Sequence, residues 1–414
     1  MRVIASHAFY GKPIGEVHLV SNKIAALLVA LMLVAAAPGI ADGPAPEDAR
    51  TAPDPAAKLM SPDDASEYWT LYVELESGHR ITQRFGLTNA GPGEHTAVAV
   101  GHLLEPGRAP YRYANGRRRS RWTLSDDRLF FDIAASHLDL HRPTGELRIT
   151  KDDIEIRLFF DFAESDLAAS VPAQALPPHY GVDVLAVGAP TRGSIKAPWM
   201  AAPLETTGRT WMAHTWSYKD EAKLLTRRVE VFGGAAESIG GRAFFGLQFR
   251  HDGGRESAWS IARSETGFVI ESTINQNEVW TESGRAVSRR GSKSYPLSGD
   301  FTISGTNSGS ITLTDEVLRY DPLEVIPNPF RWLIRRMTEP QEVWAEAVID
   351  GTLFDAPMTP SLPQSVGANG SETGTDSNVS GTGPRSERET EQGSAERRVA
   401  GVAFITFMNP ADRR

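Results

Sequence analysis

The chain of 414 residues contains no cysteine. Disulfides, thiolate metal sites, thiol catalysis and a lipid-modified cysteine anchor are all excluded, so any domain it forms is held by packing alone. Basic charge is also short: the formal net charge is −9, and such a field repels phosphate backbones, which argues against a nucleic-acid partner. No internal repeat of the kind that builds propellers or solenoids recurs. Long apolar runs are scarce as well, with one at residues 24–37. What remains is ordinary for globular chains: 40% hydrophobic and 23% charged residues over a length sufficient for two domains.

The one apolar run has the layout of an export signal. Lys23 precedes it, and Pro38 and a small-residue Gly39-Ile40-Ala41 site follow, so residues 1–41 are expected to be a signal peptide and 42–64 a flexible segment. The run is short for a bilayer span and no stop-transfer pattern follows it. An exported protein, periplasmic or extracellular, is the expectation.

From about residue 65 the chain alternates in β fashion. YWTLYVEL at 68–75, HRITQRFGLT at 79–88, 96–104, 121–124, 129–133, 146–150 and 154–162 read as strands. Asn89-Ala90-Gly91, Asn115-Gly116 and Pro143-Thr144-Gly145 read as turns between them. Further strands are expected at 224–232, 242–250, 257–263, 268–280, 293–297, 300–304, 310–317, 341–354 and 399–407. Short strands with closely spaced turn signals mean an all-β sandwich or barrel. Residues 189–216 read as a Gly/Pro-spaced passage into a second domain. Residues 358–396 have almost no apolar content and read as a disordered insert, with the strand after it closing the second barrel against 343–354.

The most informative stretch is Gly208–Trp216, GRTWMAHTW. In a strand Met212, His214 and Trp216 share one face, and Trp211, Ala213 and Thr215 share the other. One titratable ring between apolar neighbours fits the wall of a ligand pocket, or equally a core histidine satisfied by a backbone carbonyl. The strand carrying Phe244, Phe245 and Gln248 is expected beside it, completing a mostly apolar ligand-binding wall.

This H-x-W strand resembles the signature of the hydroxyneurosporene synthase (carotenoid hydratase)/AttH group. YWTLYVELESG, the W-x-L-S-D-D-R-L turn at 122–129, EIRLFFDF at 155–162 and the DPLEVIPNPFRWLIRR to VWAEA region fit the same group and the related yeast survival-factor proteins. The resemblance implies two tandem antiparallel lipocalin-like (calycin) barrels, at 65–200 and 201–414. It also implies either of two functions. One is binding of a lipid or isoprenoid in a barrel cavity or inter-barrel cleft, as in lipid transport. The other is cofactor-independent, acid-catalysed hydration or cyclisation of an isoprenoid olefin, with His214 and Trp216 catalytic. The hydratases place a tyrosine and an acid beside their His-x-Trp pair; the strand at 243–250 offers no acid before Asp252. No cofactor is expected.

Three clusters carry weaker signals. His137, Asp139 and His141 fall at alternate positions, a metal-ligating face or a wet outer face, and no further ligand can be named, so no metal is expected. RRRSR at 117–121 suits an anionic surface or a solvated hairpin tip. PNPFRWLIRRMTE reads as a short amphipathic helix, in which Arg331, Trp332, Arg335 and Arg336 either contact a membrane surface or a membrane transporter, or are solvated on a helix that buttresses the barrel.

Overall fold

The computed structural model describes residues 53–89, 95–117, 119–162, 169–234, 243–251, 256–263, 269–273, 311–321, 341–350 and 398–407. Among these residues nearly all of the regular structure is antiparallel sheet.

The first sheet holds β1 (Ser66–Leu75), β2 (Arg80–Thr88), β3 (Thr96–Leu104), β4 (Tyr111–Arg117), β5 (Thr123–Leu124), β6 (Phe130–Ile133), β7 (Ser136–Asp139), β8 (Thr144–Lys151), β9 (Ile154–Asp161), β10 (Ala169–Ser170), β11 (Tyr180–Lys196) and β12 (Leu204–Ser217). Its order is β4-β3-β2-β1-β12-β11-β9-β8-β7-β6-β5, with β10 beside β11. The sheet curls until its ends approach, and Asn115 on β4 donates to Ser136 Oγ on β7 at 2.8 Å. Trp69, Leu71, Val73, Phe85, Phe131 and Met212 fill the interior.

A short helix, α1 (Glu221–Leu224), capped by the Asp220 side chain on the Ala222 N–H, leads to the second sheet. That sheet contains β13 (Leu225–Gly234), β14 (Ala243–His251), β15 (Glu256–Arg263), β16 (Val269–Thr273), β17 (Ile311–Tyr320), β18 (Gln341–Asp350) and β19 (Arg398–Phe407), in the order β16-β15-β14-β13-β19-β18-β17. β19 pairs with β18 along its whole length and also with β13, as expected of a strand that follows a long insertion.

From Thr210 onward β12 is largely buried on both faces, which explains the aromatic content of that half. Met212 belongs to the core of the first sheet, whereas Trp211 and Ala213 belong to a second core shared with Phe232, Phe245, Phe249 and Trp259 of the second sheet. Each buried indole removes on the order of 200 Å² from water, worth on the order of 5 kcal/mol. At Gly188 the backbone takes φ +68°, where a Cβ would lie 2.6 Å from Ala243 Cβ. Only glycine lets β11 come so close to β14, and the register of β11 shifts over the same stretch, between Ala186 and Ala189.

Several expectations need correction. β12 pairs with β1 and β11, so it completes the first sheet instead of opening the second; residues 189–216 form much of a long hairpin, not a passage between domains. Asn115-Gly116 lies inside β4, opposite Ala99 and Val98, because cross-strand pairing overrides its turn propensity. Residues 53–60, expected to be flexible, are packed: Ala57 and Met60 are buried. The expected helix with Arg331, Trp332, Arg335 and Arg336, the insert at 358–396, the strands at 293–297 and 300–304 and the signal at 1–41 lie outside the described residues.

Candidate functional site

Two acidic centres flank β1, one on each face. On the inner face, Glu67 Oε1 lies 2.7 Å from His214 Nε2, and both side chains are buried. The other ring nitrogen, Nδ1, donates to the Asp54 carbonyl at 2.9 Å. Trp69 stacks on the imidazole, with ring centres 4.4 Å apart and planes 8° from parallel. The segment 53–60 acts as a strap. Its Lys58 and Leu59 N–H groups donate to the Glu67 carboxylate at 2.6 and 3.2 Å, and its Pro55 carbonyl accepts from the Trp69 indole at 3.1 Å. Asp54 N–H in turn donates to Asp183 at 2.9 Å. Every polar atom of this centre has a partner, and the centre is closed.

On the outer face lies a cleft of about 120 Å³ between the two sheets, lined by Tyr68, Thr70, Arg84, Glu221, Trp344 and Phe404 among others. Tyr68 and Tyr180 both donate to Glu221 Oε1, at 2.6 and 2.5 Å, and their hydroxyl oxygens are 2.7 Å apart. Two phenolic hydrogens can bridge only two edges of this triangle of oxygens; with a proton on Glu221 donated to one phenol, that phenol's own hydrogen can turn to the other, and all three edges are bridged. Burial, the dominant influence, pushes the Glu221 carboxyl from its ordinary 4.5 up to about 7, and neighbouring Glu230 and Asp220 push the same way. Arg228 Nη1 donates to both Glu221 and Tyr180 at 3.0 Å, while burial holds its own pKa below the ordinary value. Glu230, on the same face of β13 as Arg228, is fully buried, and neither carboxylate oxygen has a hydrogen-bond partner.

Farther along the cleft, His102 takes a hydrogen bond with Thr82 at 3.1 Å. Burial, reinforced by the Arg112 guanidinium, pushes its imidazole down to about 3, so the ring is neutral at working pH. Arg112 donates to the Tyr320 hydroxyl at 2.6 Å and lies over that ring. A small apolar molecule in this cleft would meet aromatic walls, one acid able to carry a proton near neutrality, and fixed hydrogen-bond donors.

The sequence-derived residues are divided between places. Met212 and His214 do share a face, turned into the first core, and Trp216 is half-buried with its indole over Gly181 and Lys58 above it. Phe244, Phe245 and Gln248 lie on β14 of the other sheet, where Phe245 packs against Phe232. The two sets do not form one wall; Trp211, on the opposite face of β12, is the residue that shares a core with Phe245. The acid sought on β14 is Glu67 on β1 for His214, and Glu221 for the cleft. A signal for the cleft was present: Arg84, Arg228 and Glu230 are charges next to apolar residues within strands, and burying them requires a polar network. On the surface, His141 contacts Asp139 at 2.5 Å and Asp127 at 2.6 Å, and both hydrogen bonds hold its pKa above the ordinary value. No group suited to a metal ion occurs among the described residues.

No family model and no curated protein matches the chain. Solved structures do match. A candidate AttH protein from Nitrosomonas europaea is similar over 86% of this chain and 99% of its own, at 12% identity and a TM-score of 0.50. CghA solved with Sch210972 is similar over 84% and 89%, at 8% identity and a TM-score of 0.51. Kievitone hydratase from Nectria haematococca matches over 88% and 98%, at 11% identity and a TM-score of 0.48. Likeness at such identities speaks to architecture, and the chain has the lipocalin-like fold of AttH-type structures.

Proposed function

We propose that this protein, a relative of the AttH/hydroxyneurosporene synthase group, binds a small apolar molecule of lipid or isoprenoid type in the cleft between its two sheets. One observation carries the reading: the cleft combines aromatic walls from Trp344 and Phe404 with a few fixed polar groups, the composition of a ligand pocket. Among the described residues, the interior of the first barrel holds a core of packed side chains, and the strap covers His214. CghA, of the same fold, was solved with the small molecule Sch210972. The signal-like residues 1–41 support export, which N-terminal sequencing of the mature protein checks; a start after Ala41 is expected.

Binding is tested by titrating the purified protein with an apolar isoprenoid and following tryptophan fluorescence. Quenching that saturates in the parent and is reduced in Trp344→Phe supports the cleft. Saturable binding indifferent to Trp344→Phe and to a bulky Val98→Trp block overturns it.

The Glu221 triangle favours a second reading, acid catalysis. A protonated Glu221 would give its proton to an olefin carbon, water would add to the resulting cation, and the proton lost from that water would return to Glu221, for a net addition of one water. Turnover of an isoprenoid olefin that disappears in Glu221→Gln is the expected sign; turnover unchanged in that variant removes this reading.

A further inference from the structure

Thr70 and Arg84 are direct cross-strand partners on β1 and β2, and both line the inter-sheet cleft. Thr70 Oγ1 and Arg84 Nη2 are also two buried polar atoms without a hydrogen-bond partner in the protein. Thr70 is 1% exposed. The Arg84 guanidinium is firmly held: Nη1 donates to Glu342 Oε1 at 2.8 Å, and the group lies over the rings of Tyr68 and Phe404 at 4.8 and 4.6 Å. A fork fixed in this way presents its remaining N–H in one direction at little entropic cost. Directly opposed residues on one face of an antiparallel pair have Cβ atoms about 5 Å apart, which sets both side chains on the same wall of the cleft.

From this pair we infer the ligand's polar group: an uncharged oxygen, a ketone carbonyl or a hydroxyl, seated between Arg84 Nη2 and Thr70 Oγ1 with the apolar body along Phe404 and Trp344. This deepens the cleft-binding reading and rests on it. A carbonyl oxygen accepts from both groups; a hydroxyl accepts from Arg84 and exchanges a hydrogen bond with Thr70. A carboxylate is disfavoured by the surroundings. The Arg84 charge is already matched by Glu342, while Asp64, Asp220 and Glu221 line the same cleft and leave it acidic. Leaving the two donors unpaired against an apolar ligand forfeits their hydrogen bonds, so the site selects against a plain hydrocarbon too.

The test uses the full-length mature protein and three probes of similar bulk: the ketone β-ionone, the hydrocarbon limonene and the carboxylate geranic acid at pH 8. β-Ionone is expected to bind at least five-fold more tightly than either other probe. Thr70→Val, which keeps shape and strand propensity, should weaken β-ionone about five-fold, the worth of one hydrogen bond, and leave limonene unchanged. Arg84→Lys, which keeps the charge beside Glu342 but loses the fork, should act in the same direction. Geranic acid binding as tightly as β-ionone, or β-ionone affinity unaltered in both variants, overturns the inference. If binding is blocked by Val98→Trp in that case, the cleft reading survives and this one alone fails; if no probe binds, both fall.

Discussion

Glu67 and Tyr68 are neighbours in sequence, yet they belong to opposite kinds of site. Glu67 points into the first barrel, where His214 and two strap N–H groups satisfy its carboxylate, although the residue also borders the inter-sheet cleft. Tyr68 points outward to Glu221, which is just as surrounded on Oε1 but stands at the wall of a cleft. Burial alone does not separate function from structure here, because both acids are withdrawn from water. What separates them is completeness. The inner centre has every polar atom paired by its own chain, whereas the outer one leaves Thr70 Oγ1, Arg84 Nη2 and both Glu230 oxygens without protein partners. On the proposed reading, the histidine that draws the eye in the sequence serves the scaffold, and the ligand sits against the cleft face of the neighbouring strand β1.

The sharpest way to break this contrast is to remove His214. His214→Ala leaves the Glu67 carboxylate buried without its main partner and opens a void beneath Trp69, so a loss of about 3 kcal/mol is expected. Urea unfolding reads it directly. Cleft binding, measured under conditions where the variant stays folded, should be unchanged. A His214→Ala protein as stable as the parent but defective in binding would return His214 to the ligand site.

The second contrast is in pH. Glu221 has its carboxyl raised from 4.5 to about 7, so the folded chain holds that proton more tightly than the unfolded chain does. Its stabilising contribution is complete below about pH 4.5 and is lost as the pH rises through about 7, levelling off above. Tyr68, Tyr180, Arg84, Arg228, Glu230 and Asp220 are the titratable groups around it. Glu221 retains 14% exposure, which tempers the effect to roughly 2 kcal/mol between pH 5 and 8. Denaturation midpoints across that range should fall with pH in the parent and lose most of the slope in Glu221→Gln. A slope of equal size in both proteins assigns the titration elsewhere.

Much of the fold was legible in the residues. β-branched and aromatic alternation located most strands within a residue or two, as at 80–88, 96–104 and 154–161, because period-2 burial is a local property. The face assignment within GRTWMAHTW was also correct, since Met212 and Trp211 enter different cores. What local pattern cannot supply is which sheet a strand joins. β12 lies beside β1, some 140 positions earlier in the chain, and no feature of 204–217 encodes that pairing. The same blindness hid the site. Tyr68, Arg84, Tyr180, Glu221 and Arg228 come from five separate segments, and only the packing of one sheet on the other brings them together. The strap was missed for another reason: its contribution runs through main-chain N–H and C=O groups, which every sequence possesses.

That last point yields the smallest predicted effect. Lys58 reaches over the Trp216 ring at 4.1 Å and lies 3.5 Å from Asp54, with its side chain 22% exposed. Both contacts are solvated, and partly exposed pairs of this kind are each worth about 0.5 kcal/mol. The hydrogen bond that matters comes from the Lys58 backbone, which donates to Glu67 whatever side chain the residue carries. Lys58→Ala should therefore cost no more than about 1 kcal/mol, and the little it does cost should shrink as salt screens the charges. His214→Ala is expected to be several-fold more damaging and insensitive to salt. If Lys58→Ala instead destabilises the chain as much as His214→Ala, the strap is held by its lysine charge, and the completeness of the inner centre would no longer rest on backbone groups.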